Sequence, residues 1–374
     1  MIPSKGVFSL LIKELELVNY TNYHHQQVAF HPKLNILLGA NAQGKSNLID
    51  SIHFLGLARS HRQHQDLHLV RWGENYFRLK GIVENRQGTI TLEHAVKKGR
   101  KIAKINGTSL RKLSSLIGQF TTVIFTPDDL TLIKGGPESR RRFLNRKLVQ
   151  LTPLYYDYSA QYQRTLIQRN NLLKRGNVTS EEIAVWDQQL SYYGSQIIDY
   201  RNKVLLRLAP IVLEVHYQLS GNKEKLSILY QPDIPVKAES SALEIQELLL
   251  SRLSNALQTD LRKGFTSVGP HRDDFTCLIN GIDARHYGSQ GQQRTTVLTL
   301  KLAMLKLMAE MTGEYPVLLL DDVFSELDQN RKEYLLSLVS ESIQTVITAT
   351  ELDLLDKPGI PEGSIFRVHQ GKIY

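Results

Sequence analysis

Short apolar runs, many alternating with polar residues and separated by Gly and Asn, dominate the chain up to Phe125. ELELV from Glu14, LNILLG from Leu34, YFRLKGIVE from Tyr76, GTITLEHAV from Gly88 and TTVIF from Thr121 read as strands. From about Pro137 the apolar spacing becomes helical and glycines thin out. The stretch Ser180 to Leu219 predicts one helix of roughly 55–60 Å at 1.5 Å per residue. Ser180 is its expected N-cap, and Pro210 is expected to kink or end it. A second helix is predicted from about Ser241 to Arg262. After Gly264 strand texture returns, followed by a helix from about Gln292 to Thr312, a strand at 317–320 and a final αβ unit. The helical stretches do not sustain heptads, so a packed bundle is expected rather than a coiled coil. The strand-rich ends thus predict one α/β domain split in sequence, 1–136 plus 263–374, with a helical lobe, 137–262, inserted.

Length agrees, since 374 residues exceed one ordinary core. Hydrophobic content of 41% with 22% charged residues is that of a soluble globular chain. The net charge of +9 favours an anionic partner such as nucleic acid. One cysteine, Cys277, excludes an internal disulfide and a multi-cysteine zinc site, and fits a reducing, cytoplasmic setting. The N-terminal apolar run is broken by Lys13 and Glu14 with no cleavage site after it, which reads as a strand and not a signal peptide. No run approaches the length of a membrane span, so no membrane partner is expected.

Chemistry enters with GANAQGKS, Gly39 to Ser46, which matches the phosphate-binding loop pattern between a strand and a helix. In this loop Gly39, Ala40, Asn41, Ala42, Gln43 and Gly44 would turn backbone N–H groups towards phosphate oxygens, and Asn47 follows at the helix start. Lys45 would meet the β- and γ-phosphates, and the Ser46 hydroxyl would ligate Mg2+. The second half is PVLLLDDVFSELD, Pro316 to Asp328, an apolar strand delivering two carboxylates to its C-terminal end. Asp321 would hold Mg2+ through water, and Asp322 is placed to polarise an attacking water. The expected catalytic set is therefore Asp322, Asp321 and Lys45. The two motifs lie much further apart than in small kinases and GTPases.

Between them YGSQGQQRT, Tyr287 to Thr295, resembles the signature motif of ABC ATPases through Ser289, Gly291 and Gln292. In ABC ATPases this motif faces the γ-phosphate of the partner subunit's ATP, which implies an ATP-dependent homodimer. SELD, Ser325 to Asp328, matches the loop that crosses that interface. A transporter-type glutamine loop and switch histidine are missing; TVITATEL offers Thr348 and Thr350 in place of the histidine, which fits slow turnover. These absences argue against a transporter subunit coupling hydrolysis to another cargo. The remote second motif argues against a small-metabolite kinase.

Several further segments are similar to the RecF family of ABC/SMC-like ATPases from about Leu11 to Tyr374. They are ARSHR (Ala58 to Arg62), PDDLTLIKGGPESRRRFLN (Pro127 to Asn145), GPHRDDF (Gly269 to Phe275), GSQGQQRT, and the run of the second motif into FSELDQNRK. The resemblance implies an ABC-type P-loop ATPase head with an inserted α-helical lobe, binding ATP and Mg2+ and dimerising on single-stranded, double-stranded or gapped DNA. It implies a role in recombinational repair, replication restart and the SOS response, with RecR as partner and RecO and RecA reached through it. Hydrolysis would be weak and DNA-stimulated, serving as a switch. Departures are Thr21 where an arginine is usual, Asn145 for an aspartate and Asp50 for a glutamate.

Candidate phosphate contacts are Arg140, Arg141, Arg142, Arg146 and Lys147 in the helical lobe. In the first lobe they are Lys97, Lys98, Arg100, Lys101 and Lys104 on a basic hairpin, with Arg59, His61, Arg62, His64, Arg71 and Arg78. Arg62 is expected to reach the triphosphate instead, and His271 and Arg272 to organise the lobe junction.

Overall fold

Strand periodicity in the first third of the chain becomes two sheets. In the computed structural model the described residues are 7–63, 65–176, 179–323, 328, 331–335, 337, 343–351 and 362–374. The chain begins with β1 (Phe8–Ser9), β2 (Leu11–Tyr20), β3 (Tyr23–Ala29), β4 (Leu34–Leu38) and α1 (Lys45–Leu57). There follow β5 (Tyr76–Asn85), β6 (Gly88–Lys97), β7 (Arg100–Ile105), β8 (Thr108–Ser109) and β9 (Thr122–Phe125). The helical stretch holds α2 (Thr131–Lys134), α3 (Pro137–Leu151), α4 (Pro153–Arg175), α5 (Ser180–Leu219), β10 (Leu226–Gln231) and α6 (Ala242–Lys263). Then come β11 (Asp274–Ile279), β12 (Ile282–Asp283), α7 (Ala284–Tyr287) and α8 (Gln290–Thr312). The chain closes with β13 (Glu314–Tyr315), β14 (Val317–Leu320), β15 (Thr345–Ala349), β16 (Gly363–His369) and β17 (Lys372–Ile373).

These elements form two compact units, Met1–Asp129 with Met304–Tyr374, and Leu130–Ala303. In the first, β3-β2-β5-β6-β7-β8 make an antiparallel sheet and β17-β16-β4-β15-β14-β9 a second one. Within the second sheet β16, β4, β15, β14 and β9 are mutually parallel. Helix α1 is buried along nearly its whole length because both sheets pack on it. Leu48, Ile49, Ile52 and Leu55 share one core with Leu15, Leu17, Phe77 and Leu79 of the antiparallel sheet and Leu37, Leu319 and Val346 of the parallel one. Gly56 is needed here, since a Cβ would run into the Phe120 carbonyl oxygen.

In the second unit α5 packs against α4, α6 and β10. Its N-cap is Thr179, one residue before the position expected. Glu182 N donates to the Thr179 hydroxyl at 3.2 Å, and Thr179 N donates to the Glu182 carboxylate at 2.9 Å. Pro210 neither ends nor interrupts the helix. Leu208, Val212 and Val215 around it are fully buried, and that packing outweighs the backbone hydrogen bond a proline forfeits. Residues 263–303, expected from the sequence to belong with the strand-rich ends, cluster with this unit. The reason is that β11 pairs with β10, and Asp273 takes a 2.6 Å ion pair from the buried Arg201 of α5. Cys277 on β11 is buried, which pushes its thiol up to about 12 and leaves it protonated and inert. Among the described residues no helix is long and apolar enough to cross a membrane.

Candidate functional site

The loop between β4 and α1 ends at Gly44, which caps the helix with φ 118° and no side-chain hydrogen bond. Only glycine fits: the backbone is left-handed, and a Cβ would collide with the Asn22 amide. The first turn of α1 contains no acidic residue. Its unpaired amides and the helix dipole therefore present positive potential to the loop, a setting that could hold phosphate. Lys45 Nζ donates to Gly39 O at 2.5 Å and Ala40 O at 3.0 Å. Burial lowers its pKa, opposed by the nearby charges of Asp322 and Asp321.

The parallel register sets Leu320 beside Ile347, so β14 and β15 deliver Asp321 and Thr348 side by side. Ser46 Oγ donates to Asp321 Oδ1 at 2.8 Å, and Asp321 N donates to Phe125 O at 2.9 Å. Burial raises the Asp321 pKa, with Asp322 adding to the rise and Ser46, His61 and Arg62 opposing it. Asp322 sits in the left-handed region at φ 52°, where its N–H donates to Thr348 Oγ1 at 2.7 Å. The single hydroxyl proton of Thr348 faces Asp322 Oδ1 at 3.1 Å and Asp321 Oδ1 at 3.3 Å. A hydroxyl here orients the two carboxylates but cannot carry a proton away as an imidazole would. Among the described residues no three His, Cys, Asp or Glu cluster as a metal site. Ser46 and Asp321 are oxygen donors that the chain could offer a cation here.

A surrounding layer, not foreseen from motifs, fixes the loop. Asn22, in the turn between β2 and β3, donates to Gln43 O at 3.0 Å and accepts from Asn47 Nδ2 at 2.8 Å. Tyr23 OH donates to Gly44 O at 3.0 Å, and Gln370 N donates to Gln43 Oε1 at 2.8 Å. Arg62 Nη1 donates to Asn47 Oδ1 at 3.1 Å, at the edge of the loop. Behind it Asp50 accepts from Tyr20 OH at 2.8 Å, from Ser60 Oγ at 2.9 and 2.8 Å, and from His61 N at 3.0 Å. The sequence signals for this layer are the polar cluster NYTNY and the segment ARSHR, which no spacing rule ties to residues 43–50.

In the second unit Ser289 precedes α8, with Gln292 in its first turn. Ser289 N donates to Gln292 Oε1 at 2.8 Å and Gln292 N donates to Ser289 Oγ at 3.2 Å, a reciprocal cap. Ser289 and Gly291 are exposed. Gln292 Nε2 also donates to Glu224 Oε1 at 2.8 Å, whose other oxygen lies 3.3 Å from His216 Nε2 of α5. A polar chain thus leads from the signature turn into the long helix. Ser325, Glu326 and Leu327 of the expected interface loop lie outside the described residues, as does His64.

Several expected phosphate contacts are corrected. Arg140 is buried and gives Nε and Nη2 to Asp274 at 2.6 and 2.8 Å, with further bonds to Gly135 O and Leu132 O. A guanidinium so engaged cannot also reach a phosphate. Arg141 donates to Asp273 O at 2.7 Å, and Lys147 is buried. Arg142 is exposed and pairs with Glu138 within its own helix. Lys101 pairs with Asp66 at 2.7 Å, and Arg78 lies against Glu16 and Glu93. Lys97, Lys98 and Arg100 are exposed at the turn joining β6 and β7.

A family model described as "RecF/RecN/SMC N terminal domain" matches residues 11–363. The "DNA replication and repair protein RecF" of Clostridium perfringens (strain SM101 / Type A) is 41% identical over 366 residues, 97% of this chain and 99% of that protein. Its counterpart in Bacillus mycoides (strain KBAB4) is 39% identical over 368 residues, 97% and 98% of the two chains. A solved structure described as "Structure of the recombination mediator protein RecF-ATP in RecFOR pathway" superposes with a TM-score of 0.91 at 38% identity, covering 100% of this chain and 99% of that one.

Proposed function

The chain belongs to the RecF family, an ABC-type ATPase head with an inserted helical lobe, and on that premise we propose that it is an ATP-gated DNA-binding protein of replication and repair. The observation that supports this best is the 2.8 Å hydrogen bond between Ser46 and Asp321, which brings the phosphate loop and the acidic strand end together. ATP would lie along residues 39–47 with Lys45 exchanging the loop carbonyls for β- and γ-phosphate oxygens, and with Arg62 beside it. Ser46 and Asp321 offer the hard oxygen donors that suit Mg2+, which when bound would neutralise charge on the phosphates. Asp322 would orient the attacking water. With the Thr348 hydroxyl beside it, hydrolysis would be slow and would act as a switch.

Each copy would supply Ser289, Gly291 and Gln292 to the nucleotide of a second copy, so that ATP joins two chains. The exposed, capped helix start at Ser289 supports this reading, because its N-terminal dipole is aimed at solvent where a partner's phosphate can reach it. The dimer would bind single-stranded, double-stranded or gapped DNA through Lys97, Lys98 and Arg142. With RecR, and through it RecO and RecA, it would serve recombinational repair, replication restart and the SOS response in the cytoplasm.

Sedimentation with and without ATP tests the proposal. The parent chain should dimerise only with ATP, and Ser289→Arg should bind ATP yet stay monomeric. Normal ATP-driven dimers of Ser289→Arg would rule out the shared site.

A further inference from the structure

At the sheet end where β2 and β6 finish and β5 and β7 begin, one large aromatic side chain stands in solvent. Trp72 is 96% exposed. It is presented from an ordered turn: Arg71 N donates to Asn19 O at 2.9 Å, Glu74 N to Arg71 O at 3.0 Å, and Val70 bridges Tyr20. An indole held out in this way contributes little to packing and leaves its ring faces open to a partner.

Its neighbours state the partner's chemistry. Tyr76, also exposed, opens β5 opposite Lys97 in register, and Lys97 faces Arg100 across the hairpin turn. Lys98 and Gly99 form the tip. None of Lys97, Lys98 and Arg100 has an ion-pair partner among the described residues. The next base, Lys101, ties the hairpin to the Trp72 loop by its 2.7 Å pair with Asp66 and by a bond to Ala58 O. That pair also neutralises Asp66, leaving the half-buried Glu74 as the acid of this loop. Exposed Arg59, next to Ala58, extends the basic edge. Cations without ion-pair partners on the same sheet end as an open indole match a chain that alternates phosphates with flat rings.

We propose that Trp72 stacks an unpaired base of a DNA strand whose phosphates run along Lys97, Lys98 and Arg100. In a duplex the base faces are covered by their neighbours, so this site distinguishes single-stranded from double-stranded DNA where the cations alone would not. The inference rests on the reading of this chain as a DNA-binding protein.

The chain has two tryptophans, so Trp186→Phe leaves Trp72 as the one indole reporter. With full-length protein, ATP and Mg2+, an oligothymidine should quench Trp72 emission, and an abasic oligonucleotide of equal charge should not. Trp72→Ala should weaken oligothymidine binding roughly 5- to 100-fold, as loss of one stacked base does, with duplex affinity unchanged. Trp72→Phe should recover most of that loss, and Lys97→Glu with Lys98→Glu should weaken both DNAs. Equal quenching by the abasic strand, or parental oligothymidine affinity in Trp72→Ala, overturns the stacking site while leaving DNA binding intact. Failure of the parent protein to bind any DNA overturns both.

Discussion

The Ser46 hydroxyl donates to Asp321 Oδ1 across 275 positions of sequence. Sheet order sets this relationship, because β4 and β14 flank β15 and all three strands end at the same edge. Thr348, at the end of the strand between them, then falls within reach of both Asp321 and Asp322.

Removing either half of this arrangement should have a different consequence. Lys45→Ala should lose ATP binding outright, read with a fluorescent nucleotide. Asp322→Asn should keep ATP binding while turnover falls roughly 10²–10⁴-fold, the range for a positioned base. Parental turnover in Asp322→Asn would mean that another group orients the water.

Asp50 should act as a structural charge. Burial would raise its pKa, but His61, Ser60 and Tyr20 outweigh this and hold it down at about 2. A depressed carboxylate stabilises the fold above its unfolded value of 3.8, and that contribution is lost as pH falls towards 2. Asp50→Asn should therefore cost about 2–4 kcal/mol in urea unfolding at pH 7. The gap between parent and variant should close between pH 4 and pH 2; a constant gap would contradict the charge argument.

Stability at milder acidity should depend on His94. It is fully buried with Nε2 2.9 Å from Leu55 O, and burial lowers its pKa from 6.5 to about 4, with Lys101 helping and Leu55 and Glu93 opposing. The unfolded chain takes up a proton in this window and the folded chain does not. The resulting stability is whole above pH 6.5 and falls by about 3 kcal/mol as pH drops to 4. His94→Gln should flatten that part of the profile in urea titrations at stepped pH, and an unchanged slope would assign it elsewhere.

Arg140 and Arg142 should separate structure from surface. Arg140→Ala removes the buried guanidinium that pairs with the half-buried Asp274 and should cost about 1–3 kcal/mol. Arg142→Ala should change stability by less than about 0.5 kcal/mol. Loss of DNA binding with parental stability in Arg140→Ala would restore that residue as a phosphate contact.

Local features could be read from the chain because local forces create them. Strand, glycine loop and helix around Lys45 are contiguous, as are the apolar strand and acids ending at Asp322, and Ser241 with Glu244 caps α6 as the N-cap pattern requires. The cap of α5 slipped by one residue because Thr179 and Ser180 are both good caps, and only Thr179 places Glu182 at the third position to answer it.

What the chain alone left open are closures between distant segments. The arginines at 140–142 look alike in sequence. Which one turns inward depends on Asp274, brought near when β11 joins β10. Pro210 would stop an isolated helix, but the packing of α5 on its neighbours overrides a one-bond loss. Asn22, Tyr23 and Asp50 reach their partners only once α1 lies between two sheets. Short-range propensity is written in adjacent residues, whereas desolvation and the pairing of buried charges exist only after the chain has closed on itself.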